Sequence, residues 1–191
     1  MGAGDREAFV TLFRTYQTQV YRFARQMSGR PDVAEDVTQD VFIALMQNAF
    51  RFDPGIGALS TYLYGVTRNL VRRQLQRGRS RVEVDVASFG ANPPPALVSE
   101  VDPVSELARA ERLDVLRRAI LSLPIHYREV VVLCELHDLS YEEAARIVDC
   151  PVGTIRSRLS RARRVLTQKC RDRGGPAEVG TARTRSTKCL V

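Results

Sequence analysis

Residues 140–166 read SYEEAARIVDCPVGTIRSRLSRARRVL, and this stretch decides the fold of the second half of the chain. Ser140 and Glu143 have the spacing of a capping box, in which each side chain binds the other residue's backbone amide, so a helix is predicted over 141–148. The segment 149–153 predicts a turn, because it contains a proline and a glycine. A longer helix is predicted over 154–169, with an apolar stripe at Ile155, Leu159, Ala162, Val165 and Leu166. The stretch is therefore predicted to be a helix-turn-helix.

The face of the second helix opposite this stripe carries an excess of positive charge. Between Thr154 and Arg173 there are eight basic residues and one acidic residue. The side chains predicted to project from this face are Arg156, Ser157, Ser160 and Arg164, flanked by Arg158, Arg161 and Arg163. Such a face favours a recognition helix in the major groove, where Arg156 can donate a forked pair of hydrogen bonds to guanine. The alternative is a solvated basic face, but such faces usually include glutamate for pairing three or four residues away.

A second basic segment is predicted on a helix in the first half of the chain. Its arginines are Arg68, Arg72, Arg73, Arg77, Arg79 and Arg81, and aromatic residues precede them at Phe50, Phe52, Tyr62 and Tyr64. This combination suits single-stranded or melted DNA, because aromatic rings stack on exposed bases while guanidinium groups follow the backbone. For Tyr62 and Phe52, packing in the core is an equally open alternative.

The apolar residues of the first half predict three helices. A stripe at steps of three and four runs from Phe9 to Met27 and predicts a helix over 5–27. After a break at Gly29-Arg30-Pro31, Asp32 is expected to cap a second helix, with an inner face of Val33, Val37, Val41, Phe42 and Leu45. A turn-rich loop follows at 53–57. Ser60 or Thr61 is then expected to cap a third helix, with an inner face of Tyr62, Leu63, Val66, Leu70 and Val71.

A change of composition separates the two halves. Residues 60–81 contain six arginines and no acid, whereas residues 82–105 contain four acids, no base and three consecutive prolines. The second stretch predicts a flexible acidic linker. Helical periodicity resumes over 106–121, and a short apolar helix is predicted over 127–136. The expected fold is all-α, with two small helical domains at 1–81 and 106–173, the linker at 82–105 and a disordered tail at 174–191.

An acidic cluster on the predicted second helix has the wrong sign for DNA. It consists of Glu35, Asp36, Gln39 and Asp40, which gather on the exposed side. From these residues alone an ordinary polar helix face is favoured, and docking to a basic protein surface is the alternative.

Composition argues against several classes of function. The formal charge of +7 favours a polyanionic partner. The four cysteines form no CxxC pair and the two histidines are 11 residues apart, so neither a metal nor another cofactor is expected. No phosphate-binding glycine loop and no nucleophile with a paired base is evident, so the chain is not expected to be an enzyme. Without an apolar signal core or a run of about 20 apolar residues, it is expected in the cytoplasm and not in a membrane.

Four motifs along the chain, taken in order, resemble a known family. They are DVAEDVTQDVF at 32–42, STYLYGVTRN at 60–69, Leu123-Pro124 followed by YREV at 127–130, and the helix-turn-helix at 140–163. The set is similar to the extracytoplasmic-function (ECF) sigma factors of the sigma-70 family. The resemblance implies a transcription initiation factor that binds core RNA polymerase and directs it to promoter DNA. It also implies control by an anti-sigma factor, often membrane-anchored.

The resemblance also assigns roles to individual residues. The first domain corresponds to the family's second region, which binds the clamp helices of the polymerase beta-prime subunit, here through Glu35, Asp36, Gln39, Asp40 and Phe42. The same region would capture and melt the downstream (−10) promoter element through Phe52, Thr61, Tyr62, Arg68, Asn69, Arg72 and Arg73. The second domain corresponds to the fourth region, which meets the beta flap and reads the upstream (−35) element, here through Val152, Thr154, Arg156, Ser157, Arg158, Ser160, Arg161 and Arg164.

Two positions depart from the family pattern, and two other classes of protein stay open. Tyr62 stands where tryptophan is usual, which keeps an aromatic ring. Asp149 stands in the turn where glycine is common, and the turn is expected to survive because Asp tolerates left-handed backbone. A stand-alone helix-turn-helix regulator would bind duplex DNA by itself, normally as a dimer. It would leave the acidic helix and the second basic helix without a role, and a purely structural helical module is the third alternative.

Overall fold

The structure is a computed structural model that describes residues 3–47, 52, 53, 55, 57–79 and 103–172. Those residues form helices without any strand, which confirms the predicted all-α fold class for the described ranges. The helices are α1 (Ala3–Ser28), α2 (Pro31–Gln47), α3 (Leu59–Arg79), α4 (Pro103–Leu121), α5 (Ile125–Val131), α6 (Tyr141–Val148) and α7 (Val152–Asp172), and a π-helical turn (Val132–Leu136) continues α5. The predicted tail, and the predicted linker except for residues 103–105, lie outside the described residues.

Helices α1, α2 and α3 pack against one another as a bundle. The predicted stripe of α1 supplies its core, since Val20, Phe23 and Met27 are almost completely buried. Each such side chain contributes roughly 1.5–3 kcal/mol by leaving water. Helix α1 ends at Gly29, whose φ of 76° is left-handed backbone that suits glycine. This turn brings α2 back along α1, so that the acidic face of α2 points away from the core.

The predicted caps of α2 and α3 are wrong. Helix α2 begins at Pro31, because proline lacks an amide hydrogen and its fixed φ suits the first helical position. Asp32 therefore lies inside the first turn, where its ion pair with Arg30 lowers the pKa of the carboxyl group. Helix α3 begins at Leu59, one residue before the predicted caps. The hydroxyl of Thr61 is buried in that helix and finds no hydrogen-bond partner among the described residues.

Helix α7 is the centre of the second group of helices and contacts α4, α5 and α6. Its predicted stripe is confirmed at Ile155, Leu159, Ala162 and Leu166, which are buried, whereas Val165 is half-buried. Helix α4 begins at Pro103, so the last three residues predicted as linker are helical. The short helix predicted over 127–136 corresponds to α5 and the π-helical turn together.

The two groups of helices also pack against each other. Helix α3 contacts α6, while α1 contacts both α4 and the π-helical turn. Buried residues from both groups belong to one continuous hydrophobic cluster. No pattern in the sequence predicted this arrangement. None of the described helices has the length and apolar character needed to cross a membrane.

Candidate nucleic-acid and polymerase interfaces

The helix-turn-helix forms as predicted, because both of its local signals are satisfied. The Ser140 hydroxyl accepts a hydrogen bond from the amide of Glu143 (3.2 Å), and the Glu143 carboxylate accepts one from the amide of Ser140 (2.9 Å). The Ser140 hydroxyl also donates to the Glu143 carboxylate at 2.7 Å, and this bond, followed by the one from the Ser140 amide, lowers the pKa of Glu143. Asp149 takes the left-handed conformation expected of it, with φ 58° and ψ 61°. The capping box and this turn set the angle between α6 and α7.

The outer face of α7, which we call the recognition face, carries the predicted upstream-element residues. Arg156, Ser157, Ser160, Arg161 and Arg164 are exposed, while Val152, Thr154 and Arg158 are half-buried. The Arg156 guanidinium lies over the ring of Tyr141, with 5.9 Å between its central carbon and the ring centroid. Such a cation–π contact restrains the side chain and leaves its hydrogen-bond donors free to face a ligand. The recognition face is therefore basic and open.

Arg163 differs from the other arginines beside the recognition face. Its guanidinium forms an ion pair with Glu135 of the π-helical turn, and its Nε donates to the same carboxylate oxygen at 3.1 Å. This hydrogen bond raises the pKa of Arg163. Arg163 thus fixes α7 against the helix beneath it.

The basic face of α3 is engaged by the second group of helices. The Arg68 Nε lies 2.9 Å from the Glu129 carboxylate, and Arg72 Nη1 lies 3.2 Å from the same oxygen. Glu129 belongs to α5, and its side chain is completely buried. The Arg68 side chain is only 11% exposed and that of Arg72 is 37% exposed. Two of the residues predicted to contact the downstream element are therefore held by a carboxylate.

The other predicted downstream residues are distributed between core and surface. Asn69 and Arg73 are exposed. Phe52 and Tyr62 are half-buried, with their ring centroids 5.8 Å apart, so each ring combines packing with some access to solvent. Thr61 is buried. Phe50 lies outside the described residues.

The predicted polymerase-binding cluster forms an acidic surface on α2. Glu35, Asp36, Gln39 and Asp40 are all exposed, and Glu35 and Gln39 also line a shallow groove between α1 and α2. Phe42 does not belong to this surface, because it is 3% exposed. Its ring packs against Phe13, with 4.8 Å between the two centroids. We therefore correct its predicted role from a polymerase contact to support of α2 from within the core.

A second set of contacts between the two groups of helices was missed by sequence reasoning. The Tyr64 hydroxyl and His137 Nδ1 lie 2.8 Å apart, and His137 Nε2 lies 2.8 Å from Gln26 Oε1. Because the amide oxygen of Gln26 can only accept, Nε2 carries the hydrogen and Nδ1 accepts from the tyrosine. Burial, and then the nearby charge of Arg22, lower the pKa of His137 to about 4. The one local signal was Glu129, a carboxylate directly before the apolar run 130–134.

Two family models match the chain, one in each group of helices. Residues 12–81 match the family model for sigma-70 region 2, and residues 113–166 match that for sigma-70 region 4. A structure of the sigma factor RpoE in complex with the anti-sigma factor NepR from Bartonella quintana superposes with a TM-score of 0.69 at 28% identity, covering 86% of this chain and 98% of that one. CnrH, in complex with the cytosolic domain of CnrY, shares the fold with a TM-score of 0.63 at 23% identity, over 89% and 92% of the two chains.

Two curated relatives align along almost the whole length of the chain. It is 36% identical over 172 residues to the ECF RNA polymerase sigma-E factor of Escherichia coli strain K12, which covers 87% of this chain and 88% of that protein. It is 30% identical over 173 residues to the ECF RNA polymerase sigma factor SigW of Bacillus subtilis strain 168, covering 88% and 92%. The chain belongs to the ECF RNA polymerase sigma factors.

Proposed function

We propose that this sigma factor binds core RNA polymerase through the acidic surface of α2 and contacts promoters through two separate helices. In this proposal α7 reads the upstream element, and α3 captures the downstream element. The observation that carries the proposal is the recognition face of α7, where five exposed arginine and serine side chains lie opposite a stripe with four buried residues. The two domains are proposed at 1–81 and 106–173, with α4 extending three residues into the linker.

The recognition face has the chemistry that duplex DNA requires. Arg156 is the candidate for direct readout of guanine, since a guanidinium group matches its two major-groove acceptors. Arg161 and Arg164 are exposed on the same helix and suit phosphate oxygens on either side of the groove. Ser157 donates to the backbone oxygen of Thr154 at 3.0 Å, and its oxygen can still accept from an exocyclic amine.

The acidic surface has the opposite charge and supports a different partner. Asp36 and Asp40 lie one helical turn apart on α2, and both are exposed. Their charge would repel DNA, whereas a basic protein helix would complement it. Asp32, on the same helix, is instead paired with Arg30. It therefore provides a matched control.

We also infer that an anti-sigma factor controls this chain in the cytoplasm and that the chain acts by recognition alone, without catalysing a reaction. The solved complexes of RpoE with NepR and of CnrH with the cytosolic domain of CnrY support the first inference. A candidate inhibitor would have to cover the α2 surface or the recognition face.

The test is run-off transcription with purified core polymerase that lacks any sigma subunit. Wild-type chain should create a defined start site on a cognate promoter. Asp36→Ala combined with Asp40→Ala should weaken association with core polymerase, because both charges of the acidic surface are lost. Asp32→Ala should retain wild-type association, since its carboxylate is already paired with Arg30.

Two results would overturn the proposal. If the chain protects duplex DNA by itself but never produces a start site with core polymerase, it is a stand-alone regulator. Unchanged affinity of the double variant for core polymerase would return the α2 cluster to an ordinary polar helix face.

A further inference from the structure

We propose that the free chain holds itself in a closed form, in which the Glu129 carboxylate takes the place of a DNA phosphate against Arg68 and Arg72. The inference deepens the proposed function, because it rests on the role of these arginines at the downstream element. In this closed form α5, a helix of the second domain, covers the proposed DNA-binding surface of the first domain. Downstream DNA and Glu129 would then compete for the same two guanidinium groups.

The Glu129 carboxylate presents acceptor oxygens to the two arginines as a phosphate group would. Its two carboxylate oxygens accept from Arg68 at 2.9 Å and 3.4 Å, and one of them accepts from Arg72 at 3.2 Å. Charge-assisted contacts of this kind are the same ones that arginine makes with phosphate oxygens. Because the Glu129 side chain is completely buried, its charge is compensated only while the arginines stay in place. The ion pair therefore favours contact between the two domains.

A second, uncharged contact closes the same interface. His137 follows the π-helical turn and bridges Tyr64 of α3 with Gln26 of α1 through two hydrogen bonds of 2.8 Å. Its ring also meets Tyr64 edge-on, at 5.1 Å between centroids. Arg128 Nη1 donates to the backbone oxygen of Met27 at 2.6 Å, again across the interface. The closed form thus depends on groups outside the DNA-binding set, and these can be changed separately.

The loop before α3 lies at the same interface. A Cβ atom placed on Gly57 would lie 3.4 Å from the Arg146 guanidinium of α6. The closed form therefore brings the second domain against both the basic face of α3 and the loop that precedes it. Opening the interface would free both elements together.

The proposal is tested with the full chain, using Glu129→Gln and His137→Ala. Small-angle scattering reports the radius of gyration, and fluorescence anisotropy reports binding of a labelled single-stranded oligonucleotide that carries a downstream-element sequence. Both variants should be more extended than wild type. They should also bind the oligonucleotide about tenfold more tightly, because affinity is reduced by the fraction of molecules that are open. Asp114→Asn is the matched control: it removes one negative charge from a pair within α4 and should change neither quantity.

The outcomes separate this inference from the sigma function itself. Unchanged dimensions and affinity in both variants would overturn the closed form, and expansion without tighter oligonucleotide binding would overturn the competition with DNA. If circular dichroism shows that Glu129→Gln has lost helicity, the same two measurements on His137→Ala test the proposal instead. Run-off transcription with core polymerase is a separate measurement. It can therefore contradict the sigma function without contradicting the closed form, and scattering can contradict the closed form without contradicting the sigma function.

Discussion

The recognition face of α7 and the basic face of α3 both carry arginines, but these differ in their exposure to solvent. On α7, Arg156 is exposed and rests on the ring of Tyr141. On α3, Arg68 is 11% exposed and donates to a buried carboxylate. The recognition face is therefore accessible as it stands, whereas Arg68 and, in part, Arg72 are covered by α5.

This difference shows that a pattern of arginines does not by itself define an available surface. A guanidinium group stays in a protein interface when a buried carboxylate would otherwise lose its partner. Beside α7, Glu135 engages Arg163 at the side of the recognition face. The free chain is thus expected to contact the upstream element more readily than the downstream one. Four changes test this contrast.

The largest effect is expected from Leu159→Ala, which removes the support beneath the recognition face. Leu159 is 2% exposed, so its truncation should cost about 2–5 kcal/mol through lost transfer energy and a cavity. Chemical denaturation should show the loss, and upstream duplex binding should fall with it. Leu136→Ala is the control, because that leucine is 38% exposed and should change stability little. Equal losses in the two variants would contradict the assignment of Leu159 to the core.

Acid should weaken the interface that covers α3 while leaving the recognition face open. Between pH 6.5 and about 4 the open form binds more protons than the closed form, because closure lowers the pKa of His137 to about 4. The closed form should therefore be intact above pH 6.5 and become progressively less stable as the pH falls to about 4. Tyr64 and the charge of Arg22 face the ring, and Asp138 opposes the shift only in part.

The measurement is the radius of gyration as a function of pH. His126→Gln is the matched control, since His126 is exposed and should keep the wild-type response. Substitution of His137 by glutamine should flatten the profile over this range. A profile that is unchanged in that variant would rule out His137 as the titrating group.

Arg156→Ala should weaken upstream duplex binding by about 1–3 kcal/mol and relax base preference there, because a forked contact is lost. Arg171→Ala removes an exposed arginine from the last turn of the same helix and should have a smaller, sequence-independent effect. Competition binding with single-base variants of the element gives both numbers. If Arg156→Ala lowers affinity equally for every sequence, Arg156 contacts phosphate and not a base.

The smallest effect is expected from Ser140→Ala, which removes the capping box of α6. The loss should be about 1 kcal/mol, because one amide of the first turn is left without its partner. Thermal unfolding measures it. Ser160→Ala, on the exposed middle of α7, should leave stability nearly unchanged. A cap variant as stable as the Ser160 variant would show that tertiary packing alone holds the angle between α6 and α7.

Local signals explain which parts of the fold and of the site were predictable. The stripe of α7, the capping box at Ser140 and the left-handed Asp149 depend on neighbours a few residues away. The caps of α2 and α3 were predicted wrongly, since Pro31 and Leu59 already start those helices. The roles of the acidic surface on α2 came only from the family resemblance.

The contact that covers α3 depends on residues far apart in the chain. Arg68 and Glu129 are 61 residues apart, and no periodicity joins them. At Phe42 the two kinds of inference disagreed. The apolar stripe placed it on the inner face of α2, where its ring packs against Phe13, whereas the family resemblance implied a polymerase contact.

The π-helical turn determines which changes in chain length this domain tolerates. Glu129 and His137 are eight residues apart, and in an uninterrupted α-helix their side chains would point about 80° away from each other. The wider turn at Val132–Leu136 takes up this difference, so that both residues reach the first domain. Deleting one residue there would restore ordinary helical register and rotate everything that follows. The segment therefore tolerates substitution better than deletion, because the number of residues in it sets the angle between the two contacts.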